Sequence, residues 1–190
     1  MGPIETNTYF LEIDDELIII DPAGKEDKVI ELIGNKKLVA ILLTHGHFDH
    51  IKAVDGLYKK YKVPVYLNSA DEELARDKYQ GRDFNIYCYI TCPTVEAKEG
   101  HIDIGKFSFD IIYTPGHTEG SVIYKFEKDI FTGDTLFKEG IGRTDLKGGN
   151  SNKLNSSLRV FREFEEDCLI YPGHGPASNI KYELEFNPYL

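Results

Sequence analysis

The chain has 190 residues, 41% hydrophobic and 28% charged, the composition of a folded globule rather than of a disordered or coiled-coil chain. Its 22 basic and 32 acidic residues give a net charge of −10, which disfavours contact with the phosphate backbone of nucleic acid. The longest apolar run, Leu38–Leu43, is far short of the roughly 20 residues a membrane span requires, so neither a nucleic acid nor a membrane is an expected partner.

Thr6–Ile13 and Leu17–Asp21 read as two strands joined by a turn at Asp14-Asp15, and Lys25–Ile33 as a short helix stopped by Gly34. Leu38–Leu43 is a buried strand, Asp49–Tyr61 a helix and Val63–Leu67 a strand. Ser69 opens a helix to about Asp77, with Glu72 at the capping-box position. Residues 80–100 form an irregular aromatic loop with a short helix; Phe84, Tyr87 and Tyr89 in it are expected as core aromatics rather than as a roof over a pocket. Strands return at Ile102–Ile104, Lys106–Tyr113, Ser121–Phe126, Ile130–Thr132 and Leu169–Tyr171. Helices are expected over Asn152–Phe164 and Asn179–Phe186. Strands interleaved with helices predict a mixed α/β fold, and the length suits one domain over residues 1–190.

Five of the six histidines sit in marked contexts: three in Thr44-His45-Gly46-His47-Phe48-Asp49-His50, and one each in Pro115-Gly116-His117 and Pro172-Gly173-His174. Asp134 follows the buried run Phe131-Thr132-Gly133. The carboxyl end of a buried strand is where α/β proteins build sites, and Gly46 lets the backbone bend tightly there. Imidazole with carboxylate is a ligand set for zinc, iron or manganese. The set exceeds what one tetrahedral ion needs, which points to two divalent metal ions. His101, in a turn without a companion ligand, is expected on the surface. Cys88 and Cys92 lack a second pair for a metal, and Cys168 is expected as inert packing. Three cysteines cannot all pair, and Met1–Glu5 shows neither the basic segment nor the apolar core of an export signal; a reduced, cytoplasmic protein is expected.

The pattern His45-x-His47-x-Asp49-His50, then His117, Asp134 and His174, resembles the metallo-β-lactamase superfamily. The stretches Gly133-Asp134-Thr135-Leu136-Phe137 and Gly140-Ile141-Gly142-Arg143-Thr144-Asp145-Leu146 are most similar to short type II glyoxalases, the hydroxyacylglutathione hydrolases. The resemblance implies an αββα sandwich of two mixed sheets flanked by helices. It implies one metal held by His45, His47 and His117, a second held by Asp49, His50 and His174, and Asp134 between them. Two features depart from the pattern. Only residues 175–190 follow His174, where full-length type II glyoxalases carry a helical domain that contacts glutathione. Five residues precede Thr6, so the first strand is expected to be short or lost.

The implied activity is hydrolysis of a small-molecule thioester, such as a hydroxyacylglutathione, by a hydroxide between two cations, zinc before iron or manganese. Asp49 and Asp134 are the carboxylates of that chemistry, both as ligands rather than free bases. Arg143 can hold a substrate carboxylate bidentately or pair with Asp145. The same scaffold supports a mononuclear iron persulfide dioxygenase or a lactonase. A secreted β-lactamase is disfavoured, because antibiotic-cleaving members lack the bridging aspartate that Asp134 would supply.

Overall fold

The computed structural model describes residues 5–190. The readings made on Met1–Ile4 lie outside the described residues. Strands β1 (Tyr9–Ile13) and β2 (Glu16–Ile20) form a hairpin whose turn places Asp14 at φ 55°. Helix α1 (Glu26–Ile33) leads to β3 (Lys37–Leu42), which pairs parallel to β2. Helix α2 (Val54–Tyr61), β4 (Val65–Leu67), helix α3 (Glu72–Ala75) and β5 (Val95–Glu96) complete a five-stranded sheet in the order β1-β2-β3-β4-β5.

The second half supplies β6 (Gly100–Ile104), β7 (Phe107–Tyr113), β8 (Val122–Phe126) and β9 (Asp129–Gly133). A small hairpin of β10 (Leu136–Phe137) and β11 (Gly140–Ile141), helix α4 (Ser151–Ser157), β12 (Leu169–Pro172), β13 (Ser178–Asn179) and helix α5 (Ile180–Phe186) follow. The second sheet runs β13-β12-β9-β8-β7-β6.

Burial on both faces explains why β2 is apolar from Leu17 to Ile20. Leu17 and Ile19 pack with Val29, Ile33, Val54 and Leu57 under α1 and α2. Ile18 and Ile20 face Phe107, Phe109, Ile111 and Tyr124 across the gap between the sheets. On the far side, Ile123, Ile130 and Ile170 pack against Leu154, Phe161 and Ile180. The order is helix, sheet, sheet, helix, the expected αββα sandwich. No helix among the described residues is long and apolar enough to cross a membrane.

Several local expectations need correction. Helix α2 begins at Val54 rather than Asp49, because residues 49–53 are turns and bends that bring Asp49 and His50 together with other histidines while Ile51 and Ala53 enter the core. Asn68, not Ser69, caps the next segment by accepting from Ala70 N. The single expected helix splits into a 3₁₀ turn (Ser69–Asp71) and α3, while Glu72 pairs with Arg76 instead of closing a capping box. The helix expected over 152–164 is α-helical only to Ser157 and 3₁₀ over Leu158–Glu163. Phe84, Tyr87 and Tyr89 are all exposed, not core; the aromatic loop runs over the outside. His101 is exposed as expected, but in β6 rather than a turn, with Nδ1 2.8 Å from Asp110 Oδ1. Cys168 is buried as expected, and the cysteines are unpaired.

The carboxyl ends of β3, β7, β9 and β12 lead to Thr44, Thr114, Asp134 and Gly173 at one edge of the sandwich. The two sheets are tied there by Val122 N donating to Thr44 O (2.9 Å) and Tyr124 Oη donating to Leu43 O (2.8 Å).

Candidate metal centre

The turn after β3 is fixed by three side chains from elsewhere in the chain. Asp21, itself in the left-handed region at φ 48°, accepts from Thr44 N (2.8 Å) and Thr44 Oγ1 (2.6 Å). Buried Asp71 accepts from Gly46 N (2.8 Å), Thr118 Oγ1 (2.7 Å) and Gly120 N (2.8 Å), joining the turn to the loop that carries His117. Gln80 accepts from Phe48 N (2.8 Å) and donates to Gly46 O (3.2 Å) and Leu74 O (2.9 Å). A Cβ at position 46 would collide with the Asp71 carbonyl, so this close approach requires glycine.

The ring nitrogens sort themselves by partner. His45 Nδ1 lies 3.0 Å from Thr44 Oγ1, and His50 Nδ1 2.8 Å from Asp21 Oδ2. His117 Nδ1 lies 2.8 Å from Arg143 O, and His174 Nδ1 3.3 Å from Glu5 O. The Nε2 atoms of these four rings therefore turn inward, while His47 offers Nδ1, 2.9 Å from His117 Nε2. An outer hydrogen bond that fixes the tautomer and frees the inner nitrogen is how proteins orient metal-binding imidazoles.

Asp134 stands between the groups. Its Oδ1 is 3.4 Å from His50 Nε2, and its Oδ2 is 3.4 Å from both His117 Nε2 and His174 Nε2. Asp49 Oδ2 is 3.5 Å from His50 Nε2, 3.3 Å from His174 Nε2, and accepts from Thr6 Oγ1 at 2.7 Å. A side chain at position 173 would strike Asp134 Oδ1, which accounts for Gly173.

The residues fit a metal. His45 Nε2, His50 Nε2 and Asp134 Oδ1 are buried without a hydrogen-bond partner among the described residues, and leaving one such atom unmet costs about 1–3 kcal/mol. Within 4.8 Å of one another lie the ligand atoms of His45, His47 and His117, those of Asp49, His50 and His174, and those of His45, His50 and Asp134. The seven residues the sequence singles out are thus brought together.

A family model for the metallo-beta-lactamase superfamily matches residues 1–174. The chain belongs to that superfamily. It is 40% identical to a probable metallo-hydrolase of Bacillus subtilis over all of this chain and 94% of the relative. It is 34% identical to the hydroxyacylglutathione hydrolase GloC of Haemophilus influenzae, over 93% of this chain and 89% of that one. Among solved structures, the BLEG-1 B3 metallo-beta-lactamase superposes with a TM-score of 0.93 at 37% identity, covering 100% of this chain and 96% of that one. TTHA1623 in a di-iron-bound form superposes with a TM-score of 0.93 at 32% identity, covering 100% and 98%.

Within this metallo-β-lactamase scaffold the charges are strongly polarised. Burial pushes His45 well below the usual imidazole range and His47 down to about 3, so both are neutral. Burial acts on His50 the same way, but the carboxylates of Asp21, Asp134 and Asp49 outweigh it and raise the ring well above its ordinary value. At His174, burial is outweighed by Asp134 and Asp49, which lift it to about 9. Asp49 and Asp134 are held well below the carboxylate range, because His50 and His174 overcome the cost of their burial.

A cleft of about 470 Å³ opens onto His47, Asp49, His117, Asp134 and His174. Arg143 lines its rim, but its guanidinium is engaged by Asp145 through Nε–Oδ1 at 2.7 Å and NH2–Oδ2 at 2.8 Å. The structure therefore supplies the structural partner for Arg143. Phe84 reaches the cleft from the aromatic loop, whereas Tyr87 and Tyr89 are not among its walls.

Sequence reasoning missed Asp21 as the support of His50, and Asp71 and Gln80 altogether. Asp21 carried a signal: it ends a buried apolar run just as Asp134 does. Asp71 and Gln80 sit in polar segments indistinguishable from solvent-facing ones.

Proposed function

We propose that the chain is a thioester hydrolase working with two divalent cations, zinc before iron or manganese. His45, His47 and His117 would hold one, Asp49, His50 and His174 the other, and Asp134 both. The observation that carries this reading is the placement of the Asp134 carboxylate, with one oxygen toward His50 and the other toward His117 and His174. Two such cations supply hydroxide near neutral pH and polarise a carbonyl.

The chain's own groups suit that task. Neutral His45 and His47 offer lone pairs without first losing a proton. Thr6 and His174 both engage Asp49 Oδ2, which suits Asp49 to a ligand and not to a mobile base. A thiolate leaving group has a pKa of about 8.5 and departs without a strong general acid, so the cleft needs none. The 34% identity to GloC supports a small-molecule thioester as substrate.

The likeness to BLEG-1 raises β-lactam cleavage as a second reading. One experiment separates these and the other members of the scaffold. Protein loaded with zinc, iron or manganese is analysed for metal and assayed with S-lactoylglutathione, glutathione persulfide, a lactone and nitrocefin. Two ions per chain with thioester hydrolysis is the expected result. One iron per chain with persulfide-dependent oxygen uptake and no thioester hydrolysis replaces it with the dioxygenase, and turnover of nitrocefin or the lactone alone replaces it with those activities.

A further inference from the structure

The walls of the cleft above the ligands are apolar. Phe48, Leu74, Phe84, Phe137, Ile141 and Leu146 all line it. Phe48 and Phe84 lie with ring centroids 5.7 Å apart, and Phe84 and Leu146 remain 56% and 41% exposed at the mouth. Exposed phenylalanine and leucine in the lining of one cleft give an apolar group that enters it surface to cover.

The rim does not offer a free cation. Arg143 is filled by Asp145, and Lys147 is paired with Glu73 at 2.7 Å. Asp77 and Asp83 add two further carboxylates to the lining. Asp83 faces Arg82 in turn (Nε–Oδ1 3.7 Å), so three bases are met by four acids and none of the three is left free to hold an anionic substrate tail.

Resting on the thioester-hydrolase reading, we infer that this cleft is an apolar subsite, selecting thioesters that carry an alkyl or aryl group of several carbons next to the scissile bond. Gln80 positions it: the residue that braces Gly46 and Phe48 also begins the segment that carries Phe84, so the apolar wall is registered to the ligand turn. The apolar group can sit on the acyl or the thiol side of the bond, and the chemistry that recognises it is the same.

Two substrate series tell the sides apart. Acetyl, butanoyl and hexanoyl glutathione vary the acyl group, and acetyl thioesters of ethanethiol, butanethiol and hexanethiol vary the thiol. In one series kcat/KM should rise by up to about fourfold per methylene until the cleft is full. Binding of the neutral fluorophore N-phenyl-1-naphthylamine gives a readout independent of turnover. The double variant Phe84→Ser/Leu146→Ser, altered at two exposed positions, should bind it at least fivefold more weakly. Both series flat within twofold, or equal fluorophore binding by parent and variant, overturns the inference while leaving hydrolysis intact. No thioester hydrolysis at all, with fluorophore binding still lost in the variant, overturns the hydrolase reading and supports the apolar cleft.

Discussion

The turn at 45–50 and the ligands His117, Asp134 and His174 reach the same point by different means. The turn leaves the first sheet and is held by side chains: Asp21, Asp71 and Gln80 together satisfy backbone or hydroxyl groups of Thr44, Gly46 and Phe48. Asp134 and His174 leave neighbouring parallel strands β9 and β12 and are set by backbone, with Gly173 N donating to Gly133 O at 2.7 Å and two glycines clearing space. The result is unequal. His45, His47 and His117 are all buried, whereas the His174 side chain is 25% exposed and rests on the N-terminal segment. A metal held by the buried tri-histidine group would be bound the more tightly, and one held by a group closed by the half-buried His174 ring the more loosely.

The sharpest way to break this comparison is at the residue shared by both groups. Asp134→Asn keeps the size but removes the charge that offsets repulsion between two cations. Thioester hydrolysis should fall more than tenfold, at least about 1.4 kcal/mol. Metal analysis should show loss of the Asp49/His50/His174 ion first, with circular dichroism unchanged because Phe131 and Ile130 pack the preceding strand without the ions. Asp145→Asn is the control and should keep both metals. Two ions bound as tightly as in the parent, with the same rate, would make Asp134 no bridge.

Asp71 touches no metal ligand atom but braces the first group. Asp71→Ala leaves Gly46 N, Gly120 N and Thr118 Oγ1 without their acceptor, at about 2–4 kcal/mol of stability. Affinity at the tri-histidine position should drop about tenfold, the effect expected for an outer support, while the second position changes less. Chemical denaturation and competitive chelator titration measure the two. An equal loss at both positions would mean the brace serves the whole edge.

Proton release compares the positions directly. At neutral pH, loading the second position should expel about two protons, from His50 and His174, whose folded values are raised. His45 and His47, already neutral, should give none. Calorimetry in buffers of different ionisation enthalpy counts them. In the metal-free protein the sign follows from a raised folded value: stability contributed by protonated His174 is complete below about pH 6.5 and is lost as pH rises through about 9.

The smallest expected effect is at the rim. The Arg143–Asp145 pair is exposed, and solvent screening leaves such pairs little weight. Arg143→Ala should change KM by less than about threefold, and equally for anionic and neutral thioesters. A selective rise for anionic ones would return Arg143 to a substrate-holding role.

The ligands were legible in the sequence because His45, His47, Asp49 and His50 interrupt an otherwise apolar segment, and His117 and His174 each follow a Pro-Gly. Nothing in a one-dimensional pattern marks Asp71 or Gln80, which act 25 and 32 residues away on backbone atoms whose identity the sequence does not encode. The mixed α/β character was legible from strands interleaved with helices and the sandwich only through the family resemblance, while the β10–β11 hairpin was not, since two-residue strands show no period. The aromatic loop was misread because Phe84, Tyr87 and Tyr89 are residue types usually found inside, and only the path of the chain puts them outside.

The contact of Thr6 with His174, extended by Asn7 N donating to Gly173 O at 2.7 Å, has a consequence for biogenesis. It joins residues nearly a whole chain apart, and closing so long a loop is slow and comes late. On the ribosome the His45–His50 turn emerges well before His174, by roughly 10 s at bacterial or eukaryotic elongation rates. Throughout that interval only part of the ligand set exists, with neither His117 nor Asp134 in place at first. A nascent chain that has exposed only the His45–His50 turn therefore lacks His117, Asp134 and His174, and a metal-holding group of the full arrangement would form only once the segment carrying His174 has met Thr6 and Asn7.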